Sequence, residues 1–225
     1  KYVAVLAIDP TSPFNLGSLL GDRIRMAEQF NKPNVFIRSL ATRGSLGGLS
    51  VKTIEMADVL RSAGFDYILV ETVGVGQSEV EIAGLADITL VVLVPEAGDE
   101  IQGIKSGLME IADAFVVNKA DREDADTFAN TLKKLSQQKA TPIPVISTVA
   151  SKAKGIEELI AFIDHFEKSP SIKKQQLIAQ KAWQLLQQKL TAGLNKEQLQ
   201  QDLAEAVQKS DFNLYQFIDN WTSRS

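Results

Sequence analysis

The sequence predicts an α/β fold: a doubly wound, mostly parallel sheet followed by an all-α extension. Three observations carry that prediction. Short apolar runs rich in β-branched residues recur through the first two thirds of the chain. Stretches of helical periodicity separate them, and beyond about residue 150 the strand signal stops while the helical one continues. Continuous apolar runs, as opposed to alternating ones, suit strands covered on both faces, and alternation with helices suits right-handed crossovers. In such sheets ligands bind beyond the carboxyl ends of the strands.

The expected strands are residues 3–8, 35–37, 67–70, 88–94, 115–117 and 143–146. Val51, Ile54, Ala57 and Leu60 recur every three positions, which predicts a helix, and Gly64 follows as its C-cap. Ile156, Leu159, Ile160, Ile163 and Phe166 predict another helical face, and Ser169-Pro170 has the N-cap and first-turn signature of a further helix. Leu177, Ile178, Ala182, Leu185, Leu186 and Leu190 continue as one stripe. Leu199, Leu203 and Val207 form a second, opened by Asn195 with Gln198 three residues on; Phe212, Tyr215, Ile218 and Trp221 form a third. The organisation expected is therefore a domain over 1–168 and a helical extension over 169–225, either packed on its own domain or serving as a dimerisation arm.

Composition narrows the function. The chain has 225 residues, 44% of them hydrophobic and 23% charged, which suits a globular protein with a buried core. A net charge of -4 argues against a nucleic-acid surface spread over the molecule. With no Cys, disulfides and thiolate metal sites are excluded, and the single His165 argues against His-rich metal delivery. No apolar run reaches the roughly 18 residues a membrane span needs, and no cleavable signal opens the chain, so a cytoplasmic protein is expected, mitochondrial if the source is eukaryotic.

The chemistry concentrates at strand ends. Asn118-Lys119-Ala120-Asp121 follows the expected strand at 115–117 and is the N-K-x-D pattern of guanine-nucleotide-binding proteins. A carboxylate at Asp121 accepts two parallel hydrogen bonds from the N1 and exocyclic N2 donors of guanine, an edge adenine does not present. A plain exposed loop is the alternative. The string E-T-V-G-V-G-Q-S-E at 71–79 follows the strand at 67–70. An acid at a strand end with a glycine three positions later is how nucleotide hydrolases hold Mg²⁺ and bring a backbone N–H to the γ-phosphate. Glu71 takes the metal side, Gly74 the close approach to phosphate, and Gly76 the freedom to move when the phosphate leaves. A Gly-rich turn is the alternative.

Asp9, ending the first strand, and Asp22 are two further oxygen donors for a phosphate-bound Mg²⁺; an ordinary helix N-cap is the alternative for either, above all for Asp22. Beyond the strand at 88–94, the segment 98–105 is a glycine-containing loop in which Lys105 would neutralise developing phosphate charge and Asp99 would hold it in place. A surface ion pair is the alternative.

Taken in order, these strings resemble the MeaB/ArgK family of P-loop GTPases, the G-protein chaperones of adenosylcobalamin-dependent methylmalonyl-CoA mutase. The resemblance runs through residues 5–14, 17–23, 34–38, 44–49, 71–79, 98–105 and 118–121, and covers roughly 3–165. It implies Mg²⁺-site roles for Asp9, Asp22 and Glu71, switch roles for the 74–79 and 99–105 segments, and base recognition by Asn118, Lys119 and Asp121. Asn118 would brace base and loop, and the Lys119 stem would cover a face of the ring. Ser147, Thr148 and Val149 occupy the place of the family's second base-contacting loop, and the helical tail that of its dimerisation extension.

The function implied is a homodimeric GTPase, turning GTP to GDP, that loads and protects the cobalamin of methylmalonyl-CoA mutase or a related acyl-CoA mutase. Neither nucleic acid nor membrane is expected as a partner. One departure stands out: no G-x-x-x-x-G-K-[ST] string occurs in residues 1–225. The family places that phosphate loop one helix upstream of the first strand, so residues 1–225 by themselves are expected to bind nucleotide poorly and hydrolyse almost none. Competing classes are weaker. Nickel delivery lacks Cys and His ligands, and three Met cannot build a Met-rich signal-binding groove. An ATPase serving arginine or ornithine transport conflicts with Asp121, and a non-enzymatic dimerisation module requires a decayed nucleotide site.

Overall fold

The computed structural model describes residues 1–9, 26–41, 51–72, 83–95, 108–138, 141–167, 172–208 and 211–222. The chain forms two compact units, Lys1–Ala179 and Gln180–Ser225.

In the first unit the apolar runs become two three-stranded, wholly parallel sheets. Strands β1 (Val3–Asp9), β2 (Val35–Ala41) and β3 (Tyr67–Thr72) assemble in the order β2-β1-β3, with Val3 in register with both Val35 and Tyr67. Strands β4 (Leu90–Leu93), β5 (Ala114–Val117) and β6 (Val145–Ser147) follow in the order β4-β5-β6. The single sheet expected from sequence is thus two sheets among the described residues.

Helix α1 (Val51–Ser62) covers one face of the first sheet. Its Ala57 and Leu60 are buried against Ala4 and Leu6 of β1, and Ile54 against Ile8, with Ile68 and Val70 of β3 joining from the neighbouring strand. These are alternate residues of each strand, as a pleated sheet requires. Gly64, at φ 80°, closes the helix as expected, its N–H donating to the Arg61 carbonyl at 3.2 Å.

Helix α2 (Ala125–Ser136) does the same for the second sheet. Ala125, Phe128, Ala129, Leu132 and Ser136 form its buried stripe, and Phe128, Ala129 and Leu132 pack with Val91, Leu93, Phe115 and Val117. Each large side chain so buried contributes about 1.5–3 kcal/mol. β5, between two neighbours, is buried at every residue. Leu69 on β3 and Val92 on β4, by contrast, are 50% and 60% exposed. The expectation that these runs are covered on both faces therefore fails there. Among the described residues each of these two strands pairs on one side only, whereas Ala7 of β1 and Val116 of β5, on the same faces but with neighbours on both sides, are buried.

Helix α3 (Ile156–Asp164) follows the second sheet, and α4 (Ile172–Thr191) contains the boundary between the units. The expected cap at Ser169-Pro170 lies outside the described residues. In the second unit, α5 (Lys196–Ala206) starts at Asn195, whose side chain accepts from the N–H groups of Glu197 and Gln198. The Gln198 Nε2 donates to Asp202 one turn on, at 2.8 Å. α6 (Leu214–Thr222) is capped by Asn213, which accepts from Tyr215 and Gln216, and Trp221 Nε1 donates to Asp202 at 2.9 Å, joining α6 to α5. Tyr215, on the third apolar stripe, is 82% exposed. Among the described residues no helix is long and apolar enough to cross a membrane.

Candidate nucleotide site

The base-side residues are assembled by the carboxyl ends of the second sheet. Where β5 ends, the Asn118 N–H donates to the Leu93 carbonyl at 2.8 Å, carrying the ladder with β4 one step further. Lys119 then adopts φ 56°, a left-handed conformation that costs a non-glycine residue roughly 1–2 kcal/mol and turns the chain sharply. Two bonds fasten the turn: Ala120 N–H to the Thr148 carbonyl at 3.0 Å, and Arg122 N–H to the Lys119 carbonyl at 3.0 Å.

The second loop arrives from β6. Thr148 N–H donates to the Val117 carbonyl at 2.8 Å, and Val149 pairs with Lys154 across a single antiparallel bridge. The Asn118 side-chain carbonyl then locks the loops together, accepting from Thr148 Oγ1 at 3.2 Å and from the Ala150 N–H at 3.2 Å. Thr148 is buried, so without this bond its hydroxyl would be left unsatisfied. Val149 is buried as well, and Ser147 is the exposed member of the three. The side chains of Thr148 and Val149 thus belong to the packing of the loop.

Asp121 lies on the exposed side of this assembly and is held by Lys152, whose Nζ donates to Oδ2 at 2.7 Å. That bond lowers the Asp121 carboxyl below the ordinary carboxylate range, with Lys154 adding a smaller favourable charge. The group is consequently an ionised acceptor at neutral pH. The sequence reading did not single out Lys152 or Gly155, which begins α3 at φ 76° with a Cβ position only 2.2 Å from the Ser147 carbonyl oxygen. The available signal was a lysine-rich turn ending in glycine directly before a helix.

The first sheet carries the expected metal side. Glu71, exposed near the carboxyl end of β3, is in register with Ala7, two residues before Asp9, which ends β1 and is in register with Ala41. Carboxylate oxygens at neighbouring strand ends are donors that suit Mg²⁺. The Asp9 side chain and the whole of Asp22, Gly74, Asp99 and Lys105 lie outside the described residues. Among the described residues no three His, Cys, Asp or Glu side chains cluster as a metal site.

The fold and strand-end arrangement are those of nucleotide-binding α/β proteins, and the family model described as "Methylmalonyl Co-A mutase-associated GTPase MeaB" matches residues 1–208. The chain belongs to the MeaB family. A relative from Pyrococcus horikoshii, provisionally named a GTPase, is 55% identical over 164 residues, covering 70% of this chain and 52% of its own. Escherichia coli GTPase ArgK is 46% identical over 122 residues, 54% of this chain and 37% of its own. A Caenorhabditis elegans protein named "Methylmalonic aciduria type A homolog, mitochondrial" is 47% identical over 121 residues, 54% of this chain and 30% of its own. This MeaB-family chain therefore spans about half the length of its Pyrococcus horikoshii relative. Among solved structures, HypB from Helicobacter pylori in complex with nickel aligns with a TM-score of 0.52 at 20% identity, covering 76% of this chain and 79% of that one. That likeness shows a shared α/β fold.

Proposed function

We propose that this MeaB-family protein is a GTP-hydrolysing G protein that assists an adenosylcobalamin-dependent acyl-CoA mutase, methylmalonyl-CoA mutase or a close relative, in acquiring and keeping its cofactor. The observation that carries the nucleotide assignment is the Asp121 carboxylate, ionised and exposed at the end of β5 on a turn that Asn118 braces against Thr148 and Ala150. Its two oxygens are the acceptor pair that guanine N1–H and N2–H require. The Lys119 stem covers one face of the ring, and the loop at 147–149 closes on the base.

On the phosphate side, Asp9, Asp22 and Glu71 hold Mg²⁺, which when bound neutralises phosphate charge. Gly74 lets the main chain approach the γ-phosphate, while Lys105, held by Asp99, stabilises the charge that develops on it. GTP orders the 74–79 and 99–105 segments and hydrolysis releases them, so the surface offered to the mutase changes with the nucleotide. The names of the family and of its Caenorhabditis elegans relative support the mutase assignment. The protein acts as a homodimer through its C-terminal helices, in the cytoplasm or, in a eukaryote, the mitochondrion.

Exchanging the acceptor pair tests the base assignment. In the full natural chain, Asp121→Asn should weaken GDP binding about 10²-fold or more, since two charge-assisted bonds are lost. It should gain xanthosine diphosphate, whose C2 carbonyl accepts from the new amide N–H while its N1–H donates to the amide oxygen. Calorimetric titration of both nucleotides reads the exchange, and an unchanged preference for GDP would remove Asp121 from base recognition.

A further inference from the structure

The carboxylate assigned to guanine already has an occupant. Lys152 Nζ lies 2.7 Å from Asp121 Oδ2. Reading guanine through two parallel bonds needs both carboxylate oxygens in one plane, and an ammonium seated on one of them competes with the base for that edge. We propose that Lys152 is a gate on nucleotide entry, a cation paired with the Asp121 carboxylate that the guanine base must displace.

The gate is built by the same loop that braces the site. Lys152 ends the short helical turn Ala150–Lys152, whose first N–H hangs from Asn118 Oδ1. The Lys152 N–H donates to the Val149 carbonyl at 2.9 Å, and Ala153 follows in the left-handed region at φ 52°. The backbone position of Lys152 is therefore fixed by Asn118 and by the Val149–Lys154 bridge. Its side chain, 67% exposed, leaves the carboxylate by rotamer change alone, so opening requires no rearrangement of the fold. The proposal rests on Asp121 being the base-reading group.

An exposed ion pair of this kind is worth a factor of about 1.4–5. Displacing it raises the apparent dissociation constant for GDP by the same factor. GDP titrated into the full natural chain should accordingly bind about 1.4- to 5-fold tighter to Lys152→Gln than to the wild type at about 50 mM salt. The gain should shrink toward unity at about 0.5 M salt, where exposed charges are screened. Lys152→Arg, which keeps the cation, should show no gain. Asp121→Asn, titrated with GDP and xanthosine diphosphate, separates the two claims. If that variant fails to exchange its preference, the base assignment falls and the gate with it. If the preference exchanges while Lys152→Gln binds GDP equally or more weakly, the gate alone is overturned.

Discussion

Gly155 decides whether the two base-side loops can meet. At φ 76° it sits where side chains are strained, and an added Cβ would lie 2.2 Å from the Ser147 carbonyl oxygen and 3.2 Å from the Thr148 Cα. Both near atoms are backbone, so relief has to come from moving the 147–149 loop. Gly155→Ala should cost about 2–5 kcal/mol, the sum of a left-handed penalty and overpacking, seen as a lower urea midpoint at unchanged slope. A midpoint shift worth under about 0.5 kcal/mol would mean that the loop yields freely. At this scale Asn118 and Asp121 were legible, because N-K-x-D after an apolar run is a contiguous signal. Lys152 and Gly155 were not, since each acts on a partner in a different loop or strand, a relation that exists only once β5 and β6 are paired.

Ser136 does comparable work between elements. It is 1% exposed at the end of α2, where its hydroxyl donates to the Ile143 carbonyl at 2.6 Å and accepts from the Ile143 N–H, pinning the helix to the segment that enters β6. Ser136→Ala leaves a buried donor and acceptor unmatched and should cost about 1–3 kcal/mol in chemical denaturation; an unchanged midpoint would mean that water replaces the hydroxyl. The six strands themselves were legible from apolar runs, but their ends were set by pairing. β4 starts at Leu90 and not at 88, because Thr89 is taken by Asp113, its N–H donating to Oδ2 at 2.7 Å while the Asp113 N–H donates to the Thr89 carbonyl. β6 starts at Val145 because Pro144 has no N–H to give the ladder and contributes only its carbonyl, to Phe115. Asn213, with Gln216 three residues on, is legible as a cap by the spacing that marks Asn195, whereas the Gln198 bond to Asp202 is a helix-surface pairing that the spacing does not distinguish from a capping box.

Across the whole molecule, strand order escaped the sequence, because an apolar run specifies burial and not its neighbour. The observed order places the base-side groups entirely on β4-β5-β6 and its loops, and Asp9 and Glu71 on β1 and β3 of the other sheet. Among the described residues, the bonds that hold Asp121 in position come from residues 117–122 and 147–154. If the first sheet holds the metal and the second reads the base, the two functions should separate on mutation. Glu71→Gln removes a charge from an exposed position near a strand end and should leave the fold intact. In the full natural chain it should lower the Mg²⁺-dependent GTP hydrolysis rate about 10²–10³-fold, the loss typical of one electrostatic contact made in the transition state. GDP binding measured with Mg²⁺ chelated should stay within about twofold of wild type, because no charge on the base side has changed. Asp121→Asn should show the converse, weak GDP binding whether or not Mg²⁺ is present. A Glu71→Gln protein that loses chelated-GDP affinity in proportion to its hydrolysis rate would mean that the two sheets do not divide the nucleotide between them.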